Sequence, residues 1–159
     1  MPIKNKILSL PALLKKLPAL RRKGKTIAFT NGCFDLMHIG HVKYLEEAGR
    51  DSRVLVVGLN SDVSINHIKG SNRPIVGQKS RAAVLAALES VDFVVIFNED
   101  TPYKIISAIK PDILIKGADW KGKSVIGEDL VKKLEFVQYI PGFSTTNIIE
   151  KIIKSEKKR

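Results

Sequence analysis

The sequence of 159 residues contains one cysteine, Cys33, and has no long apolar run. A single cysteine forms no internal disulfide and no cysteine-based metal cluster, which suits a reducing cytoplasm. No apolar stretch approaches the roughly 20 residues of a membrane helix. Lysines, arginines and two prolines interrupt residues 1–25, so this segment lacks the continuous apolar region of a signal peptide. We therefore expect a cytoplasmic protein with no membrane partner.

Aromatic residues are also scarce, at 6% of the sequence, although the net charge is +11. A site that stacks nucleic-acid bases interleaves aromatic with basic residues. The basic clusters at 15–25 and 154–159 contain no aromatic residue, and a solvated helix face and a terminal tail account for them. The composition favours an anionic small substrate over a nucleic acid.

Apolar runs rich in β-branched residues predict five strands, at 26–30, 53–59, 92–97, 112–115 and 135–140. Helical patterns lie between them, at 41–48, 78–88, 102–109 and 128–134. Strands that are apolar throughout and joined by helices are typical of a parallel sheet covered on both faces. The chain length suits one domain. We therefore predict an α/β fold, a single-domain, Rossmann-like, doubly wound sheet of five parallel strands.

Ligands of such sheets bind beyond the carboxyl ends of the strands. Four predicted strands are followed by polar or glycine-containing segments, at 31–41, 60–62, 116–120 and 142–146. We expect these segments to meet at one edge of the sheet. Lys116 ends an apolar strand and faces either ligand or solvent.

His38 and His41 lie three residues apart near a predicted helix N-terminus, so both side chains can reach one ligand. Zinc would need a third protein ligand, for which Asp35 is the local candidate, and the helix-borne zinc pattern spaces its histidines four apart. A helix N-terminus offers free N–H groups to an anion, and Gly32 and Gly40 allow close approach. Phosphate binding is therefore favoured over metal ligation and over a purely structural pair.

Three short motifs resemble those of one enzyme family. Gly-Cys-Phe-Asp at 32–35, His-Ile-Gly-His at 38–41 and Phe-Ser-Thr-Thr at 143–146 resemble the signatures of the cytidylyltransferase-like nucleotidyltransferases. Within that superfamily, residues 30–35, 60–74, 81–92 and 116–120 are most similar to the heptose 1-phosphate adenylyltransferases, which occur alone or fused to a sugar kinase. The resemblance implies a nucleotidyltransferase domain over 26–153, between an N-terminal helical segment (1–25) and a basic tail (154–159).

The resemblance implies transfer of AMP from ATP to D-glycero-D-manno-heptose 1-phosphate, which gives ADP-heptose and pyrophosphate for lipopolysaccharide core synthesis. It also implies Mg²⁺ with ATP, a homodimer, and no protein-bound metal site. The alternatives are a glycerol 3-phosphate cytidylyltransferase, an FMN adenylyltransferase-like enzyme and a non-catalytic nucleotide-binding module. Glycerol phosphate cytidylyltransferases carry an arginine shortly before Ser-Thr-Thr, and the sequence Tyr-Ile-Pro-Gly at 139–142 lacks one, which argues against CTP.

We expect the catalytic residues to be His38, His41 and Lys69. Nucleotide-binding residues are expected at Asn31, Gly32, Cys33, Phe34, Gly40, Asp119, Trp120, Ser144, Thr145 and Thr146, and substrate-binding residues at Asp35, Arg73 and Arg81. The polar assignments have plainer alternatives: solvent exposure for Lys69, Arg73 and Arg81, a turn residue for Asp119, orientation of the following turn for Asp35 and helix capping for Ser-Thr-Thr. For Arg81 a charge partner is also open beside a substrate contact. For Cys33 the alternative is a small buried apolar residue.

Overall fold

The computed structural model describes residues 1–138, 140 and 142–156. Five strands form one parallel sheet in the order β3-β2-β1-β4-β5. The strands are β1 Ile27–Gly32, β2 Val54–Asn60, β3 Phe93–Phe97, β4 Ile113–Gly117 and β5 Lys133–Val137. The helices are α1 Ile3–Lys6, α2 Leu10–Arg22, α3 Ile39–Ala48, α4 Asp62–Lys69, α5 Gln78–Ala87, α6 Tyr103–Ile109 and α7 Thr145–Glu156, with 3₁₀ turns at Ala118–Trp120 and Glu128–Leu130. The predicted five-stranded parallel α/β fold is confirmed.

The sheet is buried on both faces because consecutive strand residues point to opposite sides. On one side, Ala28 of β1 packs in a core with residues of α3 and α5. On the other side, Ile27 and Phe29 pack with residues of α2 and α6. Strand β2 passes close behind Phe29, since a Cβ on Gly58 would lie 2.6 Å from the Phe29 ring. The doubly wound arrangement thus follows from strands that are apolar at every position.

The N-terminal segment contains α1 and α2 and packs on the sheet. The Ser9 side chain caps α2 by accepting a hydrogen bond from the Ala12 N–H at 3.4 Å. Leu13 and Leu17 are 0% and 1% exposed. Arg21 donates to the carbonyl of Ile109 at 2.9 Å, at the C-terminal end of α6. Helix α2 is therefore part of the core that covers one face of the sheet.

Two predicted boundaries near the C-terminus are wrong. The helix predicted at 128–134 is only the 3₁₀ turn Glu128–Leu130, and β5 starts at Lys133 and ends at Val137 instead of residue 140. Because β5 is an edge strand that alternates polar with apolar residues, it lacks the continuous apolar run of the central strands. Helix α7 continues to Glu156, so residues 154–156 of the predicted tail are helical, and 157–159 lie outside the described residues.

Helix α4 was not predicted from the sequence. The Ser61 side chain caps it by accepting from the Ser64 N–H at 3.1 Å, and Gly70 ends it with a φ of 93°. Lys69 therefore occupies the last helical turn and not a loop. None of the described helices has the length and apolarity needed to cross a membrane.

Candidate active site

An open cleft of about 710 Å³ lies at the carboxyl ends of β1 and β4. The strand order reverses direction between these two strands, which is where ligands of doubly wound sheets bind. All of the site residues named from the sequence except Arg81 line this cleft. The prediction that they converge at one edge of the sheet is confirmed, while the role of each one stays a prediction.

The two histidines stack against each other at the start of α3. Strand β1 ends at Gly32, and Phe34 turns the chain with a left-handed φ of 43°. His38 then occupies the N-cap position and His41 the first turn of α3. The imidazole rings lie 3.8 Å apart, centroid to centroid, at an angle of 19°. A Cβ on Gly40 would approach Nδ1 of His38 to 3.0 Å, so glycine leaves room for this ring.

The surroundings of both imidazoles disfavour their protonated form. Burial lowers the pKa of His41 to about 4, and the charges of His38 and Lys69 act in the same direction. Burial also lowers the pKa of His38. The structure therefore favours neutral rings at pH 7. A neutral imidazole still donates one N–H, which suits a phosphate oxygen.

Asp35 fixes the loop that follows α4. Its carboxylate accepts hydrogen bonds from the N–H groups of Ile75 at 2.9 Å and Val76 at 2.9 Å, and from Nη1 of Arg73 at 3.1 Å. Burial opposes ionisation, but these three donors outweigh it and lower the pKa of Asp35. Its carboxylate therefore holds the loop at 73–76 and the Arg73 side chain, while the substrate-binding role of Asp35 stays a prediction.

Arg81 is placed differently from the substrate-binding role that the sequence suggested. It is 1% exposed and does not line the cleft. Its guanidinium donates to three backbone carbonyls, those of Val76 at 2.8 Å, Cys33 at 2.5 Å and Asn60 at 2.9 Å. It also donates to Oδ1 of Asp62 at 2.7 Å. These contacts tie together the segments after β1 and β2, so Arg81 supports the cleft from behind.

Lys69 and Cys33 line the same part of the cleft. Lys69 is exposed at the end of α4, and its positive charge reaches both Cys33 and His41. Burial raises the pKa of the Cys33 thiol, although the charges of Lys69 and Arg81 oppose this change. A thiol with a raised pKa is less reactive, and because Cys33 is only half-buried, both readings of this residue stay predictions.

The Ser-Thr-Thr motif begins α7 on the opposite wall of the cleft. Oγ of Ser144 accepts from the Asn147 N–H at 3.0 Å, so Ser144 caps the helix. The Thr145 hydroxyl donates to the Leu36 carbonyl at 3.5 Å, and Thr146 also lines the cleft. Tyr139 and Pro141, in the segment that lacks the arginine of cytidylyltransferases, lie outside the described residues.

Several cleft residues were missed by the sequence reasoning. Asp100 and Pro102 follow β3, where the strand-end rule predicts ligand contacts, and the rule was applied to the other four strands only. The apolar side chains of Ile68 and Ile126 also line the cleft, and no motif marks them. Lys116 lines it too, which settles that this residue faces the site.

The comparisons with known proteins agree with this geometry. The family model described as cytidylyltransferase-like matches residues 29–156. The chain belongs to the cytidylyltransferase-like family. The bifunctional protein HldE of Campylobacter fetus is 54% identical over 148 residues, which are 93% of this chain and 31% of the relative. The bifunctional protein HldE of Aliarcobacter butzleri is 54% identical over 145 residues, 91% of this chain and 30% of the relative.

A solved structure also matches the fold. The crystal structure of the lipopolysaccharide core biosynthesis protein from Thermoplasma volcanium matches with a TM-score of 0.58 and 30% identity, over 72% of this chain and 96% of that one. The chain spans about a third of the length of the curated relatives it matches. The resemblance to cytidylyltransferase-like nucleotidyltransferases that the motifs indicated is therefore confirmed.

Proposed function

We propose that the chain transfers AMP from ATP to the phosphate of D-glycero-D-manno-heptose 1-phosphate, giving ADP-heptose and pyrophosphate. The observation that carries the proposal is the cleft itself. In it, two stacked neutral imidazoles, the N-termini of α3 and α7 and the cations Lys69 and Arg73 surround one space. Free helix N–H groups, imidazole donors and lysine or arginine side chains are groups that bind phosphate.

The similarity to HldE proteins and to a lipopolysaccharide core biosynthesis protein supports a heptose phosphate as the acceptor. The motifs at 30–35 and 116–120, on which the sequence resemblance to heptose 1-phosphate adenylyltransferases rests, both lie at the cleft. The homodimer, the cytoplasmic location and the exclusion of nucleic acid stay predictions.

The proposed reaction needs no general base. An oxygen of the acceptor phosphate, already ionised at pH 7, attacks the α-phosphorus of ATP, and the bond from that phosphorus to the bridging oxygen of the β-phosphate breaks. The electron pair of this bond leaves with pyrophosphate. The work of the protein is then to hold the acceptor and the α-phosphate in line and to stabilise the charge that develops on the phosphate oxygens.

His38 and His41 would donate N–H groups to the phosphate oxygens of ATP. Because the rings are neutral, an anion does not have to displace a charged partner in order to bind them. Because the rings are stacked, their N–H donors are already oriented before the anion binds. Lys69 would add positive charge from the end of α4. Arg73, held by Asp35 at 3.1 Å, would bind the second anion, the acceptor phosphate.

Mg²⁺ would enter with ATP. Among the described residues, no group of three or more histidine, cysteine, aspartate or glutamate side chains could hold a metal ion. The oxygens of Asp35 are taken by protein donors, and the other carboxylates that line the cleft are those of Asp100 and Asp119. Such a site fits an ion that is held mainly by substrate phosphates and water, as Mg²⁺ commonly is. When bound, it would neutralise charge on the β- and γ-phosphates.

The proposal is tested by pyrophosphate release with Mg²⁺ and three substrate pairs: ATP with heptose 1-phosphate, CTP with glycerol 3-phosphate, and ATP with FMN. We expect release with the heptose only. His41→Ala should lower the rate by about 10²- to 10³-fold, the usual effect of removing one donor to a transition state. His67→Ala is the matched control, because the His67 side chain is 61% exposed and does not line the cleft.

Release with another substrate pair would keep the nucleotidyltransferase class and overturn the proposed acceptor. ATP binding without release in any pair would indicate a non-catalytic nucleotide-binding module. Equal losses in His41→Ala and His67→Ala would contradict the placement of the chemistry at the stacked pair.

A further inference from the structure

Lys116 is an almost buried cation on the floor of the cleft. It is 8% exposed, although lysine is rarely buried unless it is paired. Strand β4 pairs in parallel with β1, with Ala28 beside Ile113 and Phe29 beside Leu114. Continuing this register by two residues brings Lys116 beside Asn31. Nζ of Lys116 donates to Oδ1 of Asn31 at 2.5 Å and lies 5.5 Å from the centre of the Trp120 ring.

This contact determines which way the Asn31 amide points. An ammonium group only donates hydrogen bonds, so the atom that it meets must be the amide oxygen. The amide nitrogen of Asn31 then points away from Lys116. Within the described residues, neither this NH₂ group nor the other two N–H bonds of Lys116 find an acceptor. Asn31 and Lys116 both line the cleft, so these donors are available to a bound molecule.

Resting on the proposed function, we infer that Lys116 is a positioning residue for a substrate phosphate, because its ammonium holds the Asn31 amide with the NH₂ group directed to an anionic oxygen. The positive charge of Lys116 beside the Asn31 amide favours an anionic oxygen over a hydroxyl as the acceptor of the NH₂ group. A buried charge without a full set of partners costs free energy. An apolar side chain of similar length would fill the end of the sheet without this cost, so packing alone does not account for a lysine at position 116.

The ionisation of Lys116 gives a readout that a packing role would not produce. Burial lowers the pKa of Lys116 to about 8, and the charge of Asp119 opposes this change. The other groups nearby are the Tyr44 hydroxyl, whose raised pKa keeps it protonated, and Lys123 on the Trp120 ring. From β5, the neighbour of Lys116 is the apolar Phe136. Below this pKa the ammonium fixes the orientation of the Asn31 amide. Above it the neutral amine loses its charge and can also accept a hydrogen bond, so the orientation is no longer fixed.

The experiment measures binding, which does not require turnover, by isothermal titration calorimetry with inorganic tripolyphosphate and with adenosine as separate probes. We expect Lys116→Met to weaken tripolyphosphate binding about 10- to 100-fold, as for loss of a charge-assisted hydrogen bond, and to leave adenosine binding unchanged. Asn31→Ala should have a similar effect. The double variant should bind tripolyphosphate only slightly more weakly than either single variant, because each single variant already removes the oriented NH₂ donor of Asn31.

Lys123→Met is the matched control. It removes a lysine that also lies over the Trp120 ring, at 5.9 Å, but that does not contact Asn31. It should leave tripolyphosphate binding nearly unchanged. Lys116→Arg keeps the positive charge, so it should retain affinity for tripolyphosphate. The loss of that affinity at alkaline pH should occur at a higher pH than in the unmodified chain. Lys116→Gln serves as the neutral variant if Lys116→Met fails to fold.

Several results would overturn the inference. Unchanged tripolyphosphate binding in the neutral variants would do so, as would a loss of adenosine binding alone, which would assign Lys116 to the nucleoside. Multiplying losses in the double variant would show that Lys116 does not act through Asn31. If tripolyphosphate binding behaves as expected but no pyrophosphate is released in the substrate assay, the proposed reaction fails and the anion site stands.

Discussion

Replacing Arg81 by leucine tests whether this residue supports the fold or binds the substrate. The side chain is 0% exposed and donates to the carbonyls of Cys33, Asn60 and Val76. Leucine fills part of the space but donates no hydrogen bond. Three carbonyls at the base of the cleft would lose a charged donor at once.

The expected cost follows from these contacts. A buried group left without its partner costs about 1 to 3 kcal/mol, and breaking a buried charged network costs about 3 to 5 kcal/mol. The ion pair to Asp62 adds little, because the Asp62 side chain is 42% exposed. We expect a loss in the free energy of unfolding of about 3 to 5 kcal/mol, which lowers the melting temperature of a domain of this size by about 10 °C.

Urea unfolding and thermal melts of Arg81→Leu and Lys79→Leu make the comparison. Lys79 is exposed on the same helix, α5, so its replacement controls for a leucine in that segment and should change stability by less than about 0.5 kcal/mol. An unchanged melting temperature in Arg81→Leu, together with a raised KM for the sugar phosphate, would refute the structural reading and restore the substrate-binding role.

Three further predictions concern the walls of the cleft. The pKa of His41 is about 4 in the folded chain, whereas a histidine in the unfolded chain takes up a proton near pH 6.5. The free energy of unfolding should therefore fall as the pH drops from 6.5 towards 4. Urea unfolding at pH 7 and pH 5 should show a smaller fall for His41→Gln than for the unmodified chain. Asp35→Asn should cost about 1 to 2 kcal/mol at pH 7. Since the pKa of Asp35 is lowered in the folded chain, that difference should shrink as the pH falls below its ordinary value of 3.8, which acid titration of both proteins would check. In Gly40→Ala, the added methyl group should approach Nδ1 of His38 to 3.0 Å, displace the ring and slow pyrophosphate release about tenfold or more. The melting temperature should not fall, since alanine favours the helix. An unchanged rate would show that the position of the His38 ring is not critical.

The sequence was most informative where a run of one kind of residue is compatible with only one local structure. The apolar runs at β1 to β4 predicted buried parallel strands, because a strand covered on both faces has no polar side. The rule that ligands bind at the carboxyl ends of such strands then located nearly all of the cleft residues. The bounds of edge strand β5 were wrong because its polar and apolar residues alternate, and helix α4 was missed because it begins with a hydrogen bond from the Ser64 N–H to the Ser61 side chain.

By itself, the sequence determined the five parallel strands, the helices α3, α5 and α6 between them, and the motifs that gather at one edge, because these depend on local periodicity and on a general rule of topology. Only the tertiary structure decided the orientation and charge state of particular groups. Arg81 and Lys116 are both basic residues near strand ends, yet one is enclosed by backbone carbonyls behind the cleft and the other lies on its floor beside Asn31. Which of these a basic side chain becomes depends on the segments packed around it, and those come from distant parts of the chain.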